Sequence, residues 1–415
     1  MVLLILIYFV FIGVGLPDSL LGSAWPYMAE DYQVGVDSAG ILSMTISIGI
    51  IIASLTACHL IRKFGFGKTA LTGLCFLLAG LAGYIVSPSF GWTFCCCVPL
   101  GFGSGMLQTI LNDFVAEHYS ARHMNWLHGS WGIGAVAGPL LVSAFGGTAA
   151  GWRGGYAAVA LVEAVLIAAV LAALPLWKKV SKTARVPVSE LVNKPVGKVG
   201  GKPVQKAGTG NMEAERGKNS AGRSVSIRGK AFVVGQFFMY CSMENAMMLW
   251  GASYLIGAKG MEASRAAQGV SVFFLGITAG RFLGGMLAGK IGNVQMIFGS
   301  VMAASVLDLI LLFSGGTGTA MIVFLLLGLI TAPIYPAMLH QTPSFFPQEN
   351  LHLLMGVQVA SAYAGITVMP PLFGKLFTAF SFRLLPVLQI CFLCCVLFCV
   401  VVLNQRAAKT QRVLV

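Results

Sequence analysis

Six ionisable residues stand inside long apolar stretches of this 415-residue sequence: Asp18, Asp113, Glu163, Glu244, Arg281 and Asp308. A charge at the centre of a membrane helix costs about 2.5–3.5 kcal/mol on insertion scales, so it normally faces a partner or a cavity. The chemistry open to such groups is proton exchange, binding of a polar solute, or mutual neutralisation. Asp18 lies within GVGLPDSLLG (13–22), beside Pro17 and close to Gly13, Gly15 and Gly22. Proline removes a backbone donor and glycine permits bending or close helix approach. The carboxylate then either satisfies freed backbone groups at a kink or serves as a substrate or proton site. Glu244 and Arg281 can neutralise each other in the core, and such a pair can itself be a gate. Arg281 precedes Lys290 by nine residues, about 13 Å along a helix, which places it deep in its segment. Asp113 lies near the end of its segment with Glu117 and Arg122, as in an inner-side charge network. Glu163 and Asp308 have no neighbours that suggest a role.

The elements that must carry these residues are apolar. Hydrophobic residues make up 57% of the chain and charged ones only 10%, with a mean hydropathy of +0.83; soluble domains run nearer 25% charged. Hydrophobic blocks fall at about 3–24, 40–61, 69–87, 93–116, 127–146 and 155–177. They resume at about 231–257, 267–289, 294–314, 319–339, 353–374 and 384–404. Each is near the roughly 20 residues that cross a bilayer as a helix. The expected class is therefore an all-α membrane protein with twelve transmembrane helices in two six-helix halves. Residues 1–177 and 231–405 are the halves, 178–230 a basic disordered cytoplasmic linker, and 406–415 a cytoplasmic tail. The first block lacks a basic leader and a cleavage site, so it reads as a spanning helix rather than a signal peptide.

The net charge of +13 does not point to nucleic acid, because 13 of the 27 Lys and Arg lie between Lys178 and Lys230. A basic linker beside a bilayer fits cytoplasmic retention and anionic lipid. With the linker inside, 21 bases fall on its side and five opposite, which puts both termini in the cytoplasm. The ten cysteines all lie in apolar segments and read as buried thiols. GFGSGM at Gly101 lacks the acid of a dinucleotide site, and Gly217-Lys218-Asn219 lacks the hydroxyl of a phosphate loop. No catalytic constellation, metal site or cofactor is expected, and hence no enzyme.

Two loops repeat a frame. CHLIRKFG (58–65) follows the second block and GMLAGKIG (285–292) the eighth. Matching loops at equivalent places suggest a duplicated transporter with its site between the halves. The chain thus resembles the major facilitator superfamily, whose loop pattern is Gly-x-x-x-Asp-Arg/Lys-x-Gly; Arg62 and Gly289 stand where the family has its acid. More narrowly it resembles the fucose permease-like sugar transporters. LPDSLL is similar to their first-helix motif, GSGMLQTILNDFV to the fourth and NWLHGSWGIGAVAGP to the fifth. MENAMMLWGASYL resembles the seventh and FFLGITAGRFLGG the eighth. APIYPAML and ASAYAGITVMPPLFG resemble the tenth and eleventh.

That resemblance implies roles. Asp18 takes the place of an aspartate that couples proton and sugar. Gln108, four residues before Asn112, stands where the family has a glutamate; it cannot exchange a proton but can bind a hydroxyl. His128 and Trp131 match residues that touch sugar. Glu244 matches an acid of the seventh helix, with Asn245 beside it, and Trp250 or Tyr254 would form another wall. Proton coupling would fall to Asp18 and Glu244, and gating to Arg281 and Asp113. The expectation is a secondary transporter of a small polar solute, a sugar or polyol, working by alternating access with protons. It would act as a monomer in the plasma membrane, of a bacterium. A non-transporting sensor on the same fold, or a uniporter or exporter of amphiphiles or drugs, stands as the alternative.

Overall fold

The computed structural model describes residues 2–119, 121–183, 227–287, 290–342, 345 and 351–413. Most of the expected linker, 184–226, lies outside the described residues. The ordered elements among them are helical: α1 (Val2–Asp18), α2 (Leu20–Tyr32), α3 (Ser38–Phe64), α4 (Phe66–Ile85), α5 (Phe90–His118), α6 (Ala121–Gly146) and α7 (Gly151–Thr183). Then follow α8 (Ile227–Lys259), α9 (Ala263–Leu287), α10 (Asn293–Phe313), α11 (Thr317–Thr331), α12 (Ile334–Gln341), α13 (Leu351–Ala379) and α14 (Leu384–Val413).

Two pairs are interrupted single runs. Pro17 has no N–H to give the carbonyl of Gly13, and the helix breaks at Ser19, whose Oγ donates instead to Leu16 O at 3.0 Å. Ala332-Pro333 separates α11 from α12 in the same way. Among the described residues, counting α1–α2 and α11–α12 as one run each gives twelve long helices, of which ten are long and apolar enough to cross a membrane. The other two, α8 and α13, have the length, at 33 and 29 residues. Polar residues such as Gln236, Glu244 and Asn245 lower the hydropathy of α8. Several helices outrun their apolar blocks: the first run extends to Tyr32, and α7 ends at Thr183 rather than 177.

Helix pairings recur half for half. In the first half α1 packs on α6, α3 on α5, and α4 on both α5 and α7; in the second α8 packs on α13, α9 on α11, and α10 on both α11 and α14. These are the same ordinal pairs, first with fifth, second with fourth, third with fourth and sixth. The halves meet reciprocally as well, through α6–α9 and α3–α13, fifth with second and second with fifth. This is the arrangement expected of a duplicated six-helix unit. Small residues make it possible. Gly276 and Gly280 lie directly against the Leu325 and Leu329 carbonyls of α11, and Gly284 against Pro333, so any side chain there would force α9 away. The two repeated loops differ in backbone. Gly65 joins α3 to α4 at φ +79°, where glycine is needed, whereas Gly292 has φ −62°.

Large apolar side chains such as Leu55, Leu161, Val165 and Phe313 are exposed on the flanks, as contact with lipid requires. The cysteines correct the expectation of buried thiols. Cys75, Cys95, Cys391, Cys394 and Cys395 are exposed on these flanks, and only Cys97 and Cys241 are buried among those described. An apolar segment in a bilayer has two places for an apolar residue, core or lipid face, and hydropathy does not distinguish them.

Candidate functional site

The site forms where the break in the first run meets α5 and α6. Asp18 is exposed to the space between the halves, yet its carboxylate accepts three hydrogen bonds. Ser104 Oγ donates to Oδ1 at 3.0 Å, and Gln108 Nε2 and Trp131 Nε1 donate to Oδ2 at 3.2 and 2.9 Å. Ser104 and Gln108 are one helical turn apart on α5, and Gln108 also donates to Ser104 Oγ at 3.1 Å. Three donors converging on two oxygens suit an ionised carboxylate, which only accepts.

From Trp131 the contacts cross to the second half. The guanidinium of Arg281 lies over the Trp131 ring, 5.6 Å from its centroid, and Phe274 meets the same ring edge-on at 6.2 Å. Arg281 Nη2 is 3.5 Å from Glu244 Oε1, an ion pair with side chains 37% and 14% exposed. That is longer than a charge-assisted hydrogen bond, so the pair is held by charge more than by geometry. Tyr240 donates to the Thr331 carbonyl at 3.0 Å and more weakly to Glu244 at 3.4 Å. A continuous chain therefore runs Asp18–Trp131–Arg281–Glu244 from α1 through α6 and α9 to α8.

A cavity of about 760 Å³ lies beside this chain, along the seam of α6 and α9. His128, Arg281, Thr278, Tyr335, Asn293 and His340 are among its lining residues. Trp126, Met286 and His340 place its mouth at the end of the molecule from which α7 leaves and α8 returns. At the opposite end the halves interlock. Ser143 and Ser264 hydroxyls are 2.9 Å apart, Gln268 donates to Ser143 Oγ at 3.0 Å, and Ser271 donates to Val136 O at 2.7 Å. There Gly22 also lies against the Met248–Leu249 backbone and Gly40 against Pro370–Pro371. A lock within the first half reinforces that end: Asp31 accepts from Arg153 and Trp152, each at 2.7 Å.

Of the residues singled out in sequence, the structure brings Asp18, Gln108, Trp131, Glu244 and Arg281 together, with His128 on the cavity wall and against Phe11. Asn112 and Asn245 are half-buried, each with a buried side-chain oxygen that has no partner. Trp250 is not brought to the site: it is fully buried against Phe377 and Phe382. Tyr254 is likewise buried, donating to Leu311 O at 3.1 Å. Six residues along an α-helix turn Trp250 about 240° from Glu244, which explains why it serves the core. Asp113 is exposed toward the end of α5 that lies with the cavity mouth, while the side chains of Glu117 and Arg122 lie outside those described. Gln358 donates to Thr342 Oγ1 at 2.8 Å and Ser361 to Val234 O at 2.8 Å, which ties both into helix packing. Sequence reading missed Ser104, Tyr240 and Thr278; their spacing of four or three residues from Gln108, Glu244 and Arg281 is the signal that finds them. Among the described residues no group of three or more His, Cys, Asp or Glu can hold a metal ion.

A sequence model of the Major Facilitator Superfamily matches residues 7–218 and 232–413. The glucose/mannose transporter of Bacillus subtilis (strain 168) is 26% identical over 140 residues, which are 33% of this chain and 35% of that protein. The chain thus matches about a third of that relative's length. The fosmidomycin resistance protein of Escherichia coli (strain K12) is 22% identical over 335 residues, 80% of this chain and 75% of that one. Among solved structures, the fold is similar to a superfamily transporter, FucP, in its outward conformation (16% identity, TM-score 0.58, covering 97% of this chain and 99% of that one). It is also similar to a D-xylose-proton symporter (12%, TM-score 0.66, 97% and 96%) and to a peptide transporter with alafosfalin (15%, TM-score 0.69, 98% and 94%). With the family model spanning both halves and these neighbours sharing the fold, the chain belongs to the Major Facilitator Superfamily.

Proposed function

We propose that this transporter is a proton-coupled secondary carrier of a small polar solute, a sugar or polyol, and that Asp18 is the group that exchanges the proton. The observation that carries the reading is the contact chain Asp18–Trp131–Arg281–Glu244, which links the two halves at the level where the cavity ends. A proton on Asp18 removes the negative charge that strengthens its bonds from Ser104, Gln108 and Trp131, so all three weaken. Trp131 is the donor that also touches the second half, so its release loosens the Arg281 stack. The freed indole offers a hydrogen-bond donor and an apolar face, the pair of features that suits a sugar ring. Gln108, His128 and Asn112 supply further hydroxyl partners, with Asn245 near Glu244 on α8. Glu244 holds Arg281 in the resting arrangement and shares in proton coupling.

In this reading the structure is the state open at the linker end and interlocked at the other. The distribution of Lys and Arg supports a linker end and termini in the cytoplasm, for a carrier that crosses the plasma membrane twelve times and acts as a monomer. The sugar assignment draws on the resemblance of its helix motifs and on the glucose/mannose relative. Labelled glucose uptake into proteoliposomes, with and without an inward pH gradient, tests it: uptake that the gradient accelerates is expected, and no movement of any hexose removes the sugar assignment. One observation favours a second reading. The fosmidomycin resistance relative matches far more of the chain, so export of a small drug is tested in the same vesicles with fosmidomycin as probe.

A further inference from the structure

Glu163 lies midway along α7 with no exposure at all, and neither oxygen of its carboxyl has a hydrogen-bond partner. Gly13 of α1 faces it: a Cβ built on Gly13 would lie 2.7 Å from Glu163 Oε1. Gly13 is also the residue whose carbonyl loses its helical donor to Pro17. Five residues further along, on the same broken run, is Asp18, near enough for its charge to act on Glu163. Four other titratable groups on helices packed against α7 have partners of their own, and Tyr27 and Glu30 of α2 and Lys68 and Cys75 of α4 stand on those helices as well. Tyr8 of α1 bonds His123 of α6 at 2.8 Å, Tyr84 of α4 bonds Cys97, Asp31 of α2 pairs with Arg153, and His128 of α6 packs on Phe11. Among the described residues no cation pairs with Glu163. A carboxylate without donor or cation in an apolar setting is sustained only as the neutral acid. One bent helix thus carries a carboxyl served by three donors and packs against another served by none.

We propose that Glu163 is a further proton-binding site of the transport cycle, coupled to Asp18 through α1. This rests on the proton-coupled reading above. In the present state Asp18 carries the negative charge and Glu163 keeps its proton. When α1 moves away from α7, water reaches Glu163, and the proton passes to that water and leaves the carboxylate behind. A proton on Asp18 removes the repulsion that opposes this loss, so the two sites titrate as a pair.

Infrared difference spectra of the full chain in lipid, titrated with pH in the absence of any solute, test the pairing in wild type, E163Q and D18N. The expected result is a protonated-carboxyl band that persists at neutral pH, is lost in E163Q, and titrates with a shifted midpoint in D18N. Asp308 is as buried and as unpartnered and gives a band of its own in every variant, so the reading is the wild-type band that E163Q removes: removal of none overturns the proposal, and so does a removed band whose midpoint D18N leaves unmoved. Should E163Q not fold, as judged by its melting temperature, dicyclohexylcarbodiimide labelling of wild type replaces it. Modification at Glu163 at neutral pH that D18N changes in its pH dependence supports the site; none overturns it. Glucose uptake is measured alongside, and its failure in wild type counts against the sugar carrier alone and leaves the spectroscopic result on Glu163 intact.

Discussion

At the scale of single residues, the proposed site turns on three donors gathered at one carboxylate. Trp131 is bound through its edge to Asp18 and through its face to Arg281. Trp131→Phe keeps the face and removes the edge donor. A hydrogen bond to a charged group is worth about 1.5–3 kcal/mol, so proton-driven glucose uptake is expected to fall roughly ten-fold or more, read as initial rates. Arg281 and Glu244 predict a different signature. Removing one partner of a partly buried pair leaves a charge uncompensated, so Arg281→Met and Glu244→Gln should each lower the melting temperature in detergent. The double variant should recover part of that loss, since the stranded charge is gone. Additive losses would mean that the 3.5 Å pair contributes little. Much of this was readable in the sequence, because an acid or base in an apolar block is conspicuous by its cost. Trp250 shows the limit: proximity in sequence to Glu244 says nothing until helical phase is counted, and phase sends it to Phe377 and Phe382. That Trp131 joins Asp18 to Arg281 depends on packing between α1, α6 and α9, which no local pattern encodes.

At the scale of elements, the first run matters most. Pro17 and the break at Ser19 set Asp18 at the end of α1, where its carboxylate can turn toward α5 and α6. Pro17→Ala restores an N–H to the Gly13 carbonyl and favours a continuous helix; proline in a helix interior costs about 3 kcal/mol. The variant is expected to melt at a higher temperature yet exchange glucose more slowly, since stiffening a broken helix opposes its movement. Faster exchange would contradict a hinge at this point. On α9, Gly276 and Gly280 lie directly against the backbone of α11. Gly276→Val should destabilise by about 1–3 kcal/mol through overpacking, visible as poor recovery from the membrane or early melting. Helix identity was legible from block length alone, but helix ends were not. Block edges mark where apolar residues stop, whereas α7 and α8 continue into polar sequence because an established helix propagates cheaply.

At the scale of the whole molecule, the two halves repeat the same ordinal helix contacts, which is the geometry the proposed alternating access needs. Two similar bundles meet along two equivalent seams, and tightening one end of those seams opens the other. Ser143 and Ser264 report the end now closed, their hydroxyls 2.9 Å apart. With Ser143→Cys and Ser264→Cys in a background without native cysteines, and a protease site placed between residues 200 and 201, oxidation should hold the cut halves together on a denaturing gel. Acid on the face away from the linker, together with glucose, should reduce that cross-link if the carrier opens there. The twelve apolar blocks announced this architecture, since bilayer thickness sets helix length. Which end is open could not be read from them, as both states use the same helices.

Asp18 is the proposed coupling group. The decisive measurement is glucose transport by Asp18→Asn in proteoliposomes, under an inward pH gradient and in counterflow without one. Asparagine keeps the shape and can still bond Trp131 or Gln108, but it takes up no proton. The expected result is loss of accumulation above the equilibrium level with counterflow exchange retained. Accumulation equal to wild type would contradict the assignment of Asp18 as the coupling group.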